Sequence, residues 1–280
     1  REYLFGRAVG SEMLAEFAAS DRAASDNPHL PGEWNLWYRV QELLAGPTLP
    51  AAAPPHPASG RDIFYPGIGL FIARDGQFSL AVKGGNNGEG HNHNDVGSVT
   101  LYKNGRPFLI DVGVETYTAK TFSARRYEIW TMQSTFHNLP TFAGVMQSAG
   151  EAFGARDVEV GFDEGSARIS LDISGAYPPE AQLHSYRRVV SLLRGRHVEI
   201  VDTYDGGKPA VLSLMTCLAP TAGPDRIDLA DLGSIFVEGA GEIEIDEIVV
   251  DDARLRSAWP EKIYRLRLPF AGRLLKMRIV

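Results

Sequence analysis

Residues 84–98 read GGNNGEGHNHNDVGS. Glycine, asparagine and histidine crowd this stretch, a composition suited to a tight loop from which polar side chains project. His91 and His93 are two apart. In an extended segment they share a face, whereas a turn between them separates them. Asp111 follows His93 by 18 residues, and His137 follows Asp111 by 26. Two imidazoles and one carboxylate make a ligand set for a zinc-like divalent ion with a fourth position open. The spacing matches no short metal motif, and the same residues equally suit a hydrogen-bonded network that only holds a turn. Asp95 reads as a cap on the loop, and Arg125-Arg126 as a solvated pair.

The surrounding elements decide whether these groups can meet. From residue 61 onward short β-rich runs alternate with turn residues, at 68–74, 77–83, 98–103 and 106–111, then 158–162, 167–173, 185–193, 197–204, 211–217, 243–250 and 263–268. Asn104-Gly105 is a type I′ hairpin signal, because both residues tolerate positive φ. That hairpin returns Asp111 toward His93. In 167–173, Ile169, Leu171 and Ile173 alternate with polar residues, as in a sheet with one buried face. No long helix interrupts the run. The expected fold is mainly β, a large antiparallel sandwich preceded by a short helical segment.

Before residue 61 the pattern differs. Leu4, Phe5, Val9, Met13, Leu14 and Phe17 recur as on one helix face, and Leu36, Trp37, Val40, Leu43 and Leu44 repeat the pattern. Asn27-Pro28 and Pro31-Gly32 break the two helices apart. Residues 47–60, PTLPAAAPPHPASG, form an extended Pro/Ala linker. The expected organisation is therefore a helical piece plus linker at 1–60 and a β domain at 61–280.

With 280 residues, 44% of them hydrophobic, the chain can bury a large core without staples. Its single cysteine, Cys217, excludes an internal disulfide and a Cys-based metal cage. A net charge of -7 argues against general nucleic-acid binding. No apolar run is long enough to span a bilayer. Segment 83–137 carries a net charge of +1 against -8 elsewhere, so a polyanion is better tolerated there. The chain opens Arg1-Glu2-Tyr3 with no signal-like segment, as a processed or truncated product would.

Two longer stretches add a resemblance. GEGHNHNDVGSVTLYKNGRPFLIDVGVETYT at 88–118 and RRYEIWTMQSTFHNLPTFAGVMQ at 125–147 resemble the heparinase II/III-like family of polysaccharide lyases. The likeness covers roughly 61–205 and continues in His184-Ser185-Tyr186-Arg187 and 198–202. It implies a C-terminal β-sandwich, with residues 1–46 as the last helices of an upstream α-toroid, and a substrate lying between the two parts. The toroid motif that supplies the family's acid has no match here, so this piece is expected to depend on that partner. The resemblance implies β-elimination next to a uronic acid in an acidic polysaccharide or oligosaccharide. It implies His91 as the active-site histidine and His93, Asp111 and His137 as ligands of a structural divalent metal, most simply Zn2+. Arg126 and Tyr127 fall at catalytic positions, and Asn92, Asn94 and Gln147 at substrate-binding ones. Tyr117 and Tyr127 are further phenols, expected to pack in the sheet. Such a substrate implies a periplasmic or secreted location, with neither nucleic acid nor membrane as partner. Two other classes fit the same residues: a non-catalytic glycan-binding or scaffold sandwich with a structural ion, and a hydrolase using metal-bound water.

Overall fold

The computed structural model describes residues 2–24, 35–45, 62–270 and 272–280. The chain divides into two compact units, 1–60 and 61–280. The linker at 47–60 and the breaks at Asn27-Pro28 and Pro31-Gly32 lie outside the described residues.

The first apolar repeat forms two helices, not one: α1 (Glu2–Ala8) and α2 (Glu12–Ala24). Gly10 takes φ 69° between them. Ser11 then opens α2, its Oγ accepting from the Leu14 amide at 3.3 Å, as an N-cap side chain does. The two helices cross closely at Gly6, where a Cβ would stand 2.7 Å from the Ala15 amide nitrogen. The repeat Leu36–Ala45 is α3. Phe5, Met13 and Phe17 remain more than half exposed, so the stripe that predicts one buried face is not buried within the unit.

The second unit is an antiparallel sandwich. Its larger layer is an eight-stranded sheet with Gly233–Glu238, Leu274–Ile279, His197–Gly206, Leu183–Leu193 and Ser166–Asp172 as successive inner strands. Opposite it lie a five-stranded sheet built around Phe78–Lys83 and Val99–Lys103, and a four-stranded sheet built around Lys262–Phe270 and Ala210–Thr216. One apolar core joins all three: Phe71, Leu80 and Leu101 from the five-stranded sheet, Leu212 and Leu266 from the four-stranded one, Ile200 and Met277 from the eight-stranded one. Strand Leu183–Leu193 shows why the layers form. Tyr186, Arg188, Val190 and Leu192 point inward while their neighbours reach the surface, the period of two that a half-buried strand requires.

The Asn104-Gly105 turn has φ of 51° and 74°, and Lys103 pairs with Arg106 across it. Within the layer facing the eight-stranded sheet, the two smaller sheets meet at a seam. The Ile110 amide donates to the Met215 carbonyl at 2.9 Å. Asn138 completes the seam: its Nδ2 donates to the carbonyls of Val99 (2.6 Å) and Ile110 (3.0 Å), and its Oδ1 accepts from the Met215 amide (2.7 Å).

From 113 to 138 the chain leaves the sheets and runs through short 3-10 turns at Ala119–Phe122, Arg126–Glu128, Trp130–Met132 and Ser134–Phe136. Tyr117 and Tyr127 belong to this segment, so neither packs in a sheet as expected. The segment lacks the alternation that would commit it to a strand, and its Thr and Ser side chains bond its own backbone instead.

Candidate metal centre and its loop

Strands Phe78–Lys83 and Val99–Lys103 pair directly and are joined by the glycine-rich loop. The Gly97 amide donates to the Lys83 carbonyl at 2.7 Å and the Lys83 amide to the Ser98 carbonyl at 3.0 Å, so the loop leaves and re-enters at one point. Gly97 has φ 89°, and a Cβ there would meet Ile173 Cγ2 at 2.7 Å; no other residue fits that turn. Asp95 closes the base, accepting from Lys83 Nζ at 2.5 Å.

The loop's amides brace it from within. Asn87 Nδ2 donates to Gln147 Oε1 (3.0 Å) and its Oδ1 accepts from the Asp95 amide (3.2 Å). Gln147 clasps Val96 from both sides, accepting from its amide at 3.1 Å and donating to its carbonyl at 2.7 Å. Asn92 Nδ2 donates to the carbonyls of Asn87 and His93 at 2.6 and 3.0 Å. Asn94 Nδ2 donates to the Gln147 carbonyl at 3.2 Å. All four amide side chains are buried. Asn92, Asn94 and Gln147, expected to meet a sugar, therefore hold the loop's shape.

Arg126 does the same from outside. Its guanidinium donates to the carbonyls of Thr121 (2.9 Å), His91 (3.0 Å) and Asn92 (2.9 and 3.2 Å). With so many donors engaged it clamps the loop, and little of the fork remains for a substrate carboxylate. The Tyr127 hydroxyl donates to Asn92 Oδ1 at 2.8 Å, so the phenol reaches the loop through a buried amide. His91 sits at the loop's tip, exposed, with φ 60°. A left-handed conformation at a residue other than glycine costs energy and persists only where the surroundings impose it. Arg126 on its carbonyl is such an imposition.

Behind this tip the three ligand-type groups converge. One ligand atom each from His93, Asp111 and His137 lies within 4.8 Å of the other two. Asp111 follows Arg106–Leu109 on the returning limb of the hairpin, and His137 is placed by its neighbour Asn138 at the sheet seam. His137 is fully buried, whereas 36% of the Asp111 side chain is exposed. The His93 and His137 rings are 5.3 Å apart between centroids.

The tautomer of His137 tests whether a cation fits. Its Nε2 lies 3.1 Å from the Thr131 carbonyl oxygen. A carbonyl only accepts, so Nε2 carries the proton. Nδ1 then faces Asp111 Oδ2 at 3.3 Å, yet has no hydrogen-bond partner although buried. A neutral ring would aim a lone pair at a carboxylate, which is repulsive unless a proton or a cation lies between them. Ligands at the usual zinc distances sit about 3.3 Å apart in a tetrahedron, the spacing of the His137 Nδ1 and Asp111 Oδ2 pair. Gly113 donates its amide to Asp111 Oδ1 at 2.8 Å, leaving Oδ2 to face inward. Thr131 and Gly113 thus orient two of the three groups, as partners of metal-binding side chains do.

The charges agree with that geometry. Burial, together with the nearby His137 ring, lowers His93 to about 4, so at neutral pH the ring is uncharged and one nitrogen offers a free lone pair. Burial works to raise the Asp111 carboxyl, but the His137 and His93 rings and the Gly113 amide hold it well below the usual carboxylate range. Burial works to lower His137, and the Asp111 charge outweighs it. Without a cation the pair is an imidazolium–carboxylate bridge.

Arg188 connects this arrangement to the opposite layer. Fully buried, it donates to the carbonyls of Gly97 (2.8 Å) and Asn138 (2.7 Å) and binds Asp202 through two parallel bonds of 2.8 and 2.7 Å. Arg188, Asn138, Thr131 and Gly113 are the residues that reading by type misses. The HN dipeptide at 137–138 is the one signal in the sequence that points to any of them.

The chain matches the heparinase II/III-like, C-terminal family over residues 57–251. No curated protein sequence matches it. Among solved structures, heparan sulfate lyase HepC from Pedobacter heparinus superposes with a TM-score of 0.62 at 16% identity, covering 94% of this chain and 41% of that one. A heparinase III gives a TM-score of 0.58 at 17% identity, covering 82% and 38%. These structures share the fold, and the chain spans about two fifths of their length. The family match, which takes in the whole loop, the hairpin and the His137 segment, shows that this chain belongs to the heparinase II/III-like family and carries its C-terminal β-sandwich.

Proposed function

We propose that the chain is the C-terminal part of a polysaccharide lyase that cleaves an acidic glycan next to a uronic acid by β-elimination. The observation that carries this reading is the exposed, left-handed His91, clamped by Arg126, beside the convergence of His93, Asp111 and the buried His137.

In the reaction, a base takes the uronate C5 proton. The electron pair forms the C4–C5 double bond, the C4–O bond breaks, and an acid protonates the departing oxygen. Neutralising the uronate carboxylate makes the C5 proton removable. His91 is the group at the loop tip able to take that proton or to hydrogen-bond the carboxylate, because an imidazole can act both as a base and as a hydrogen-bond donor. Arg126 acts through it by fixing its backbone, Asn92 by bracing the loop on either side at Asn87 and His93, and Tyr127 by fixing Asn92. His93, Asp111 and His137 would hold a divalent ion, most simply Zn2+. When bound, that ion supplies a fixed charge and pins three separated segments beneath His91. An upstream α-helical domain supplies the acid and the other wall of the substrate site. Such a substrate goes with a periplasmic or secreted location.

The test is a panel of heparan sulfate and other uronate glycans, incubated with this chain alone and joined to an upstream α-domain. The expected result is an unsaturated uronate product, seen by its near-ultraviolet absorbance, that is lost in His91→Ala. Cleavage without unsaturation would replace the lyase reading with a hydrolytic one. Metal binding and glycan retention with no cleavage in either form would leave a scaffold sandwich.

A further inference from the structure

We propose that Phe122, Tyr117 and Arg254 form a second sugar position that holds an anionic pyranose of the same glycan, outside the position at His91. This rests on the acidic-glycan reading above and adds a subsite to it.

Phe122 and Tyr117 are 67% and 41% exposed, and their rings meet edge to face at 5.4 Å. Neither is drawn into the core, although both lie in a segment whose neighbours Thr121 and Ile129 are buried. An aromatic face left open among polar residues suits the C–H face of a sugar ring, which is apolar on one side and hydroxylated at its rim.

Arg254 supplies the charge. Its guanidinium carbon lies 4.7 Å over the Tyr117 ring, and the residue is exposed. No carboxylate pairs with it among the described residues. The other cations of this rim are already engaged: Lys120 and Arg125 both bind Glu128, at 3.2 and 2.9 Å. Stacking on the ring leaves the edge of the Arg254 fork free, and that edge is the geometry for a carboxylate or sulfate.

The position is built before any ligand arrives. One carboxylate, Asp252, accepts from the Thr116 amide at 3.1 and 3.2 Å. It also caps α4 (Ala253–Arg256) through the amides of Arg254 (2.9 Å) and Leu255 (3.1 Å). Asp252 thus holds the backbone of Arg254 itself and of Thr116, the residue before Tyr117. At the other end, Thr121, next to Phe122, accepts from the same Arg126 guanidinium that holds the His91 carbonyl. The aromatic pair and the loop tip are thus one guanidinium apart, close enough for successive rings of one chain.

The experiment is titration calorimetry of the intact chain with a heparan sulfate hexasaccharide, an alginate hexasaccharide and a neutral glucan hexasaccharide, with metal content measured on each sample. Phe122→Ala and Arg254→Gln are each expected to weaken binding of the acidic probes about ten-fold, leaving metal content and melting unchanged. Phe122→Trp should retain binding, and Arg254→Gln should lose the preference for acidic over neutral probe. Wild-type affinity in both Phe122→Ala and Arg254→Gln would overturn the subsite while leaving the acidic-glycan reading intact. Failure of the unaltered chain to bind either acidic probe, both alone and joined to an upstream α-domain, would overturn that reading and the subsite with it.

Discussion

Two clusters of charge lie inside this sandwich, and they are built differently. Around Arg188, every polar group has its partner: both oxygens of Asp202, the carbonyls of Gly97 and Asn138, and the Tyr186 hydroxyl donating to Asp202 at 2.7 Å. Around His137, Nδ1 is buried without a hydrogen bond and faces a carboxylate. Residue types alone do not separate the two. A closed network has nothing to offer a ligand and acts as structure; an open one keeps a position for something else.

Breaking the closed network should have the largest effect. Arg188→Ala leaves the buried Asp202 charge with the Tyr186 hydroxyl alone and strips two buried carbonyls of their donor, so roughly 3–5 kcal/mol of folding stability should be lost. Urea unfolding measures it. The loss should be the same with and without a chelator, because the cluster holds no ion. A Tyr186→Phe change removes one of several bonds to Asp202 and should cost about 1 kcal/mol.

The proposed metal site should respond in the opposite way. Asp111→Ala should lower metal content and melting temperature together. Chelation should lower the melting temperature of the unaltered chain, by the equivalent of about 2.7 kcal/mol if free metal is near 100 times its dissociation constant. In Asp111→Ala the chelator should change nothing further. Elemental analysis decides the case: a full metal load in that variant removes Asp111 from the ligand set.

Acidity separates metal-free from metal-bound protein. His137 is raised by Asp111, so in the metal-free state its bridge is fully present below the ordinary value of 6.5 and is lost as pH rises through the folded value. His93 is depressed to about 4 from 6.5. As pH falls between those two values the unfolded chain takes up a proton that the folded chain does not, and stability falls. Metal binding needs both rings unprotonated at the ligand atom, so affinity should climb with pH. The drop in melting temperature on chelation should therefore widen from mildly acidic to mildly alkaline solution. A gap that narrows instead would exclude His137 as a ligand.

How much of this was legible beforehand follows from the same distinction. The strands with clean alternation, such as Leu183–Leu193, and the Asn104-Gly105 turn are local patterns and can be read directly. Strand Leu274–Ile279 lies inside the eight-stranded sheet, yet its sequence shows no clean alternation, because Leu274 and Leu275 place apolar residues on both faces and blur the period. The apolar repeat at 4–17 reads as one helix, and the positive φ at Gly10 makes it two. The convergence of His93, Asp111 and His137 could be suggested from the hairpin, but its depth depends on Asn138 at a seam between sheets, which no local pattern encodes. The resemblance puts Arg126 at a catalytic position and Asn92 and Gln147 at substrate-binding ones, and it carries no word of their bonds to the loop. The bonds of Arg126 and Gln147 to loop carbonyls span 34 to 51 residues, which sequence spacing does not reveal.

The smallest expected effect belongs to a third kind of charge cluster, partly wet. Asp246 accepts from Arg265 at 2.9 and 2.7 Å and from Arg267 at 2.9 Å, with all three side chains partly exposed. Burial works to raise its carboxyl, yet the two arginines outweigh it and hold it below the ordinary 3.8. A depressed carboxyl contributes stability above its unfolded value, and that contribution disappears as pH falls through the folded one. Water screens the cluster, so Asp246→Asn should cost no more than about 1 kcal/mol at neutral pH. The difference should shrink with added salt, and it should vanish in acid once the carboxyl is protonated in the folded chain as well. Metal content should not change. A loss as large as that of Arg188→Ala would mean that closure of the network is not what sets the energy of charge in this fold, and that position in the sheet does.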